Sequence, residues 1–101
     1  MAPVKRHPDI KPSHPGELLR DVVLPSLNRP KAEVARLLGI SRESLYRIID
    51  EKQPVTPAMA IKLGKLFGNG PHLWLQMQMN HDLWMAKQQV DVTNIPTLVE
   101  A

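Results

Sequence analysis

No cysteine occurs anywhere in the 101 residues, which excludes a disulfide framework, a thiolate nucleophile and any Cys-based zinc site. Aromatic residues are scarce. Tyr46, Phe67, Trp74 and Trp84 are the full set, so a core has to be assembled chiefly from aliphatic side chains and methionine. Apolar runs are short, none approaching the ~18 residues of a membrane span, and the opening MAPVKRHPDIKPSHPG lacks the apolar centre of a secretory signal. The expected address is the cytoplasm, with no membrane partner. Glycine-rich phosphate loops, paired carboxylates on one face and Ser/His/Asp groupings are missing too. His72 and His81 fall on opposite sides of one helix, and His7 and His14 lie in or beside the N-terminal segment, so no metal-ligand set is expected. The expectation is a chain that is not an enzyme, with no metal and no cofactor.

What is present is 43% hydrophobic and 23% charged residues, a balance that suits one small domain. At this length folding buries only about two-thirds of the unfolded surface, so partner subunits would help to stabilise it. The ten prolines fall at the starts of segments rather than in repeats. The net charge of +3 is unevenly spread: residues 1–52 hold ten Lys/Arg against seven Asp/Glu, and residues 53–101 hold three of each. All the excess positive charge sits in the first half, as it would in a chain whose front end faces phosphates.

Residues 1–13 have almost no apolar content and read as a flexible basic arm; residues 14–87 read as the folded domain and 88–101 as a C-terminal tail. Pro15 at a first turn, Glu17 near the positive end of the dipole, and Leu18, Leu19, Val22 and Val23 predict a first helix that Pro25 ends. KAEVARLL predicts a second over 31–38, with Val34, Ala35, Leu37 and Leu38 on its buried side and Gly39 as its stop. Ser41 caps a third, RESLYRIID, whose Leu45, Ile48 and Ile49 recur at i, i+3 and i+4. Thr56-Pro57 opens a fourth over 57–67, with Met59, Ala60, Leu63, Leu66 and Phe67 in its core stripe and Gly68 closing it, and Pro71 opens a fifth that runs to Lys87. Nothing calls for a sheet.

The stretch Lys31–Asp50 carries the most specific pattern. Ala35 is small where two helices would cross, Gly39 follows four residues later to reverse the chain, and Ile40, Leu45 and Ile48 stand where a second helix would be pinned across the first. That register is a helix-turn-helix. With Leu45 and Ile48 buried, Arg42, Glu43, Tyr46 and Arg47 project from a rod whose width suits the major groove. Arg42 and Arg47 can pair with guanine edges or phosphates, Glu43 can accept from a cytosine amine, and Tyr46 can touch a thymine methyl or a phosphate. Ser41 and Ser44 suit backbone contacts, and Lys31 and Lys52 suit phosphate clamps. Each has a plainer reading: a solvated arginine, a Glu43 that only pairs with its neighbour, a Tyr46 packed on the core.

HPGELLRD, AEVARLLGISRESLYRIIDEKQPVTPAMAIKLGKLFG and PHLWLQMQMNHDLW together resemble the HigA antitoxins, also called VapI-like proteins, of the Xre/Cro helix-turn-helix regulators. The likeness spans about residues 14–86 and is most specific at His14-Pro15-Gly16, at Thr56-Pro57 followed by Met59-Ala60, and at Trp74-Leu75 with Asp82-Leu83-Trp84. The resemblance implies an all-α, five-helix, lambda-repressor-like domain that binds an operator in double-stranded DNA as a homodimer. It also implies autoregulation and neutralisation of a HigB-type toxin, a ribosome-dependent mRNA endonuclease. Six positions depart from the family pattern. Pro30 replaces a capping Ser, Asp50-Glu51 replaces Asn-Gly, Glu43 and Tyr46 replace small polar residues, and Gly64 replaces an alanine at a cost of roughly 1 kcal/mol unless another backbone packs there.

Along the fifth helix the apolar residues form two stripes: Leu73, Trp74, Met77, Trp84 and Met85 on one, Leu75, Met79 and Leu83 on the other. One stripe can cover the core; the other is expected to meet a second subunit, the tail or a toxin. Two tryptophans at helical spacing are expected to be core rather than a cofactor pocket. The tail QQVDVTNIPTLVEA reads equally as an extended edge segment on a partner or as a mobile end. Two rival readings stand beside the antitoxin: a stand-alone Xre-type repressor without a toxin, and an all-α interaction adaptor that has lost DNA binding.

Overall fold

The computed structural model describes residues 10–99, among which every regular element is helical. In chain order these are α1 (Pro15–Leu18), a π-helical turn (Leu19–Val23), α2 (Leu24–Leu27), α3 (Lys31–Leu38), α4 (Arg42–Ile49), α5 (Pro57–Phe67) and α6 (Pro71–Lys87). The first three are one continuous rod, so the expected all-α domain of five helices is what forms. Its start is set by the first residue of the expected domain, and part of the expected arm joins it. His14 is buried and caps α1, its Nδ1 accepting from the Gly16 amide at 2.9 Å. Pro12 is buried as well, with its carbonyl 3.0 Å from His81 Nδ1 on α6. Residues 10–13 are thus laid along the domain, whereas residues 1–9 of the expected arm lie outside the described residues.

Pro25 does not end the first helix. A proline in a regular helix loses its amide bond and presses its ring on the carbonyl four residues back. Here the preceding turn widens so that the Leu24 amide bonds the Leu19 carbonyl five residues back, and the helix continues to Leu27 before Asn28 turns left-handed at φ 52°. The widened turn also rotates Val22 out to solvent, against the expected core spacing.

α3, α5 and α6 keep their predicted bounds because their ends are chemically marked, and α4 ends one residue short of its prediction, at Ile49 with Asp50 as its cap. At the end of α3, Gly39 is left-handed (φ 72°), its amide bonds Arg36 O at 3.1 Å, and the Ile40 amide bonds Ala35 O at 3.0 Å, a Schellman stop. Pro30 caps α3 without a side-chain bond, yet the helix still begins at Lys31. Thr56 Oγ1 accepts from the Met59 amide, Pro57 follows, and Gly68 closes α5 in the left-handed region.

The core gathers Leu19 and Leu24, Val34, Ala35 and Leu38, Leu45, Ile48 and Ile49, Val55, Met59, Ala60, Leu63 and Trp74. Leu37, expected on the buried side of α3, is half exposed beside Leu27, Leu66 and Phe67, the last two only partly buried. Gly64 is where α5 meets the chain entering α6: a Cβ there would lie 2.3 Å from the Gly70 carbonyl carbon, so the departure from alanine is demanded by backbone packing. On α6 the core face is narrower than either predicted stripe. Trp74 is fully buried, with its Nε1 donating to Asn69 Oδ1 at 3.0 Å, and one turn on Gln78 is buried too. Gln78 accepts from the Val55 amide at 2.7 Å and donates to Asp82 at 2.8 Å, which ties the α4–α5 loop to α6. Leu73 and Met85 are exposed, as are Met79 (54%) and Leu83 (53%). Residues 88–99 form turns without a strand and are exposed throughout.

Two predictions follow from this packing. A Cβ on Gly16 would sit 1.9 Å from the Ile48 carbonyl oxygen, so Gly16→Ala should lower stability by about 1–3 kcal/mol in denaturant titration, and an unchanged midpoint would contradict the close approach. The second concerns His14, whose pKa is lowered chiefly by burial and then by His81 and Lys11, against the opposing carboxylates of Glu51 and Asp82. The stability held by neutral His14 is complete above its unfolded value of about 6.5 and is lost as pH falls below it, because the unfolded chain then takes up a proton that the folded chain refuses. Thermal melts from pH 7.5 to 5.5 should fall more steeply for the native chain than for His14→Asn, which keeps the cap; parallel slopes would contradict it.

Candidate nucleic-acid interface

α4 is the second helix of the helix-turn-helix, and its orientation is over-determined. Ser41 is extended at its head, and its Oγ accepts from the Ser44 amide at 3.0 Å. Leu45, Ile48 and Ile49 are buried on the inner side. At the far end α1 meets it backbone to backbone, because Gly16 has no side chain and sits against the Ile48 carbonyl. Four residues along the same rod, Arg20 donates from NH1 to the Ile49 carbonyl at 2.9 Å. A cation is thereby placed on the negative end of the α4 dipole.

The chain then leaves α4 through Asp50 and a left-handed Glu51 (φ 61°), the position where the sequence departs from Asn-Gly. Non-glycine residues are costly there. Arg20 NH1 lies 3.4 Å from Glu51 Oε2, and the Lys52 and Gln53 amides both bond the Arg47 carbonyl, at 2.8 and 3.2 Å. Glu51 is held in place by this set of bonds. Arg20 also pairs with Asp21, whose carboxyl is held below its usual range by that hydrogen bond.

Sequence reasoning missed Arg20, His14 and Gln78. One signal was available for Arg20: it stands four residues after Gly16 and so shares its helix face. Gln78 acts through the Val55 amide and His14 packs on the His81 ring, both far along the chain, and local spacing does not announce such partners.

The outward side of α4 carries the side chains expected on it. Arg42, Glu43, Tyr46 and Arg47 are exposed and Ser44 is half-buried. Arg47 NH2 lies 2.6 Å from Glu43 Oε1, an i,i+4 pair with both partners in solvent (55% and 72% exposed). Ser41 spends its oxygen on the cap, while its hydroxyl hydrogen stays able to donate. Lys31, at the first position of α3, and Lys52, just past α4, are exposed. Leu75, Met79 and Leu83 line a shallow groove on α6 with Gln78, Asp82 and Ala86; Leu75 itself is partly buried against the core. Among the described residues no group of three His or acidic side chains could hold a metal ion, and no helix is long and apolar enough to cross a membrane.

The chain matches no family model. It is 35% identical over 85 residues to the Escherichia coli HTH-type transcriptional regulator YddM, covering 84% of this chain and 89% of the relative. It is 31% identical over 74 residues to antitoxin HigA-1 of Vibrio cholerae, covering 73% of this chain and 70% of that protein. Among solved structures, Pseudomonas aeruginosa antitoxin HigA with the higBA promoter superposes with a TM-score of 0.78 at 31% identity, covering 88% of this chain and all of that one. With the helix-turn-helix in place and its outer face clear, these likenesses agree with the residues, and the chain belongs to the HigA/VapI-like antitoxin family of helix-turn-helix regulators.

Proposed function

We propose that this protein binds an operator in double-stranded DNA as a homodimer, represses its own operon and neutralises an mRNA-cleaving toxin of the HigB type. The observation that carries the DNA reading is the clear division of α4: Leu45, Ile48 and Ile49 inside, Arg42, Glu43, Tyr46 and Arg47 outside. A helix so divided can enter a major groove without moving any core residue. Arg42 and Arg47 offer guanidinium forks to guanine or phosphate, and Tyr46 offers ring and hydroxyl. Lys31, Ser41, Ser44 and Lys52 surround them as backbone contacts that set the register. The solved relative with its promoter supports the DNA reading.

Dimerisation is assigned to α6. Met79 and Leu83 stand half exposed beside Leu75, an apolar strip that the described residues leave bare. A twofold axis there would present two α4 helices to successive turns of one DNA face, about 34 Å apart. The toxin reading is supported by the relatives named as antitoxins. Those named only as transcriptional regulators support the stand-alone repressor, and co-purification with the product of the adjacent reading frame separates the two.

Titration of the gene's own upstream duplex at two salt concentrations is the direct test, since a clamp with several phosphate contacts weakens steeply as salt rises. Weak or salt-insensitive binding would favour the adaptor. Arg42→Ala and Arg47→Ala should each lower operator affinity about tenfold or more with unchanged melting temperature, whereas Lys52→Ala should weaken binding to all duplexes alike and reduce the salt slope by about 1. Met79→Asp should shift the chain to monomer in sedimentation while leaving its helicity intact; a persistent dimer would remove α6 from the interface.

A further inference from the structure

An acidic side chain on a surface meant for DNA needs a reason, and Glu43 is in the first turn of α4, 72% exposed, one turn before Arg47. A duplex is negatively charged along its whole length, so a carboxylate at the groove is repelled by every sequence. It gains only where a base edge offers it a donor. In the major groove cytosine offers N4–H₂; adenine N6–H₂ is a donor too but lies beside the N7 acceptor, which repels a carboxylate and suits an amide, and thymine O4 and guanine O6 and N7 are acceptors that would leave the carboxylate desolvated and unpaired.

We propose that Glu43 is a specificity-determining residue that, through its pair with Arg47, requires a cytosine at one position of each half-site and suppresses binding to unrelated DNA. The inference rests on the DNA-binding reading and deepens it. The pair is the geometric ground: with Glu43 Oε1 2.6 Å from Arg47 NH2, one guanidinium nitrogen donates to the carboxylate, and the other nitrogens keep N–H groups to offer. Arg47 is thereby kept from swinging freely onto any phosphate. Glu43 keeps a second carboxylate oxygen for the cytosine amine. The two residues are about 6 Å apart along the helix, which sets their contacts within two base pairs of each other. A surface ion pair of this kind adds little to folding, so its removal should leave the domain intact.

Selection from a pool of duplexes randomised over the half-site, combined with anisotropy titration of one unrelated duplex, tests this. The native chain should select cytosine at one position. Glu43→Ala should lose preference at that position alone and bind the unrelated duplex several-fold more tightly. Glu43→Gln should move the preference at the same position toward adenine, the base that the amide pairs with. A base profile for Glu43→Ala identical to that of the native chain, or an unrelated-duplex affinity that is unchanged or weaker, overturns the proposal while leaving the DNA reading intact. If the native chain selects no sequence, the DNA reading fails and this inference with it.

Discussion

The contact on which the rest depends is the junction of the first helix with the end of α4. Gly16 lets two backbones touch at the Ile48 carbonyl, and Arg20, one turn on, caps the next carbonyl at Ile49. Sequence dictates both: only glycine fits the first, and only a long cationic donor reaches the second. Because the last carbonyls of α4 are satisfied within the protein, the helix is anchored by its tail and its inner face. Among the described residues, its first turn and outer face have no side-chain hydrogen bond beyond the Ser41 cap and the Glu43–Arg47 pair. A groove-entering helix needs that division, since bases are read only by side chains whose backbone does not move.

The same junction explains two features that look unrelated. Glu51 occupies a left-handed position that costs free energy, and Arg20 is the group that meets it. His14 starts α1 at the place where Gly16 must be held, and it packs edge to face on His81 of α6, with ring centroids 5.1 Å apart. The helix assigned to dimerisation and the helix assigned to DNA are therefore joined through three residues at the head of α1. Gln78 makes a second link from α6 to the loop after α4 through the Val55 amide.

Much of this was legible before any coordinates. The bounds of α3, α5 and α6 follow from Gly39, Thr56-Pro57, Gly68 and Pro71, because caps and stops act locally and are visible in a window of a few residues. The solvent face of α4 follows from Leu45, Ile48 and Ile49 by periodicity alone. What stayed hidden depends on partners distant in the chain. Pro25 reads as a terminator unless the preceding turn is known to widen; Pro12 reads as part of an arm unless His81 is known to receive its carbonyl. Leu37 reads as core because two-sided apolar helices cannot be told from one-sided ones in eight residues. The interior polar role of Gln78 has no local signature.

The central claim is that the outer face of α4, held by its C-terminal anchor, is the surface that meets the duplex. Backbone amide chemical-shift mapping during titration with the gene's own upstream duplex tests it most directly. The account predicts the largest changes at Ser41–Arg47, with Lys31 and Lys52 beside them and little at residues 88–99. Changes centred on α6 or the tail, with Arg42 and Arg47 unmoved, would contradict it.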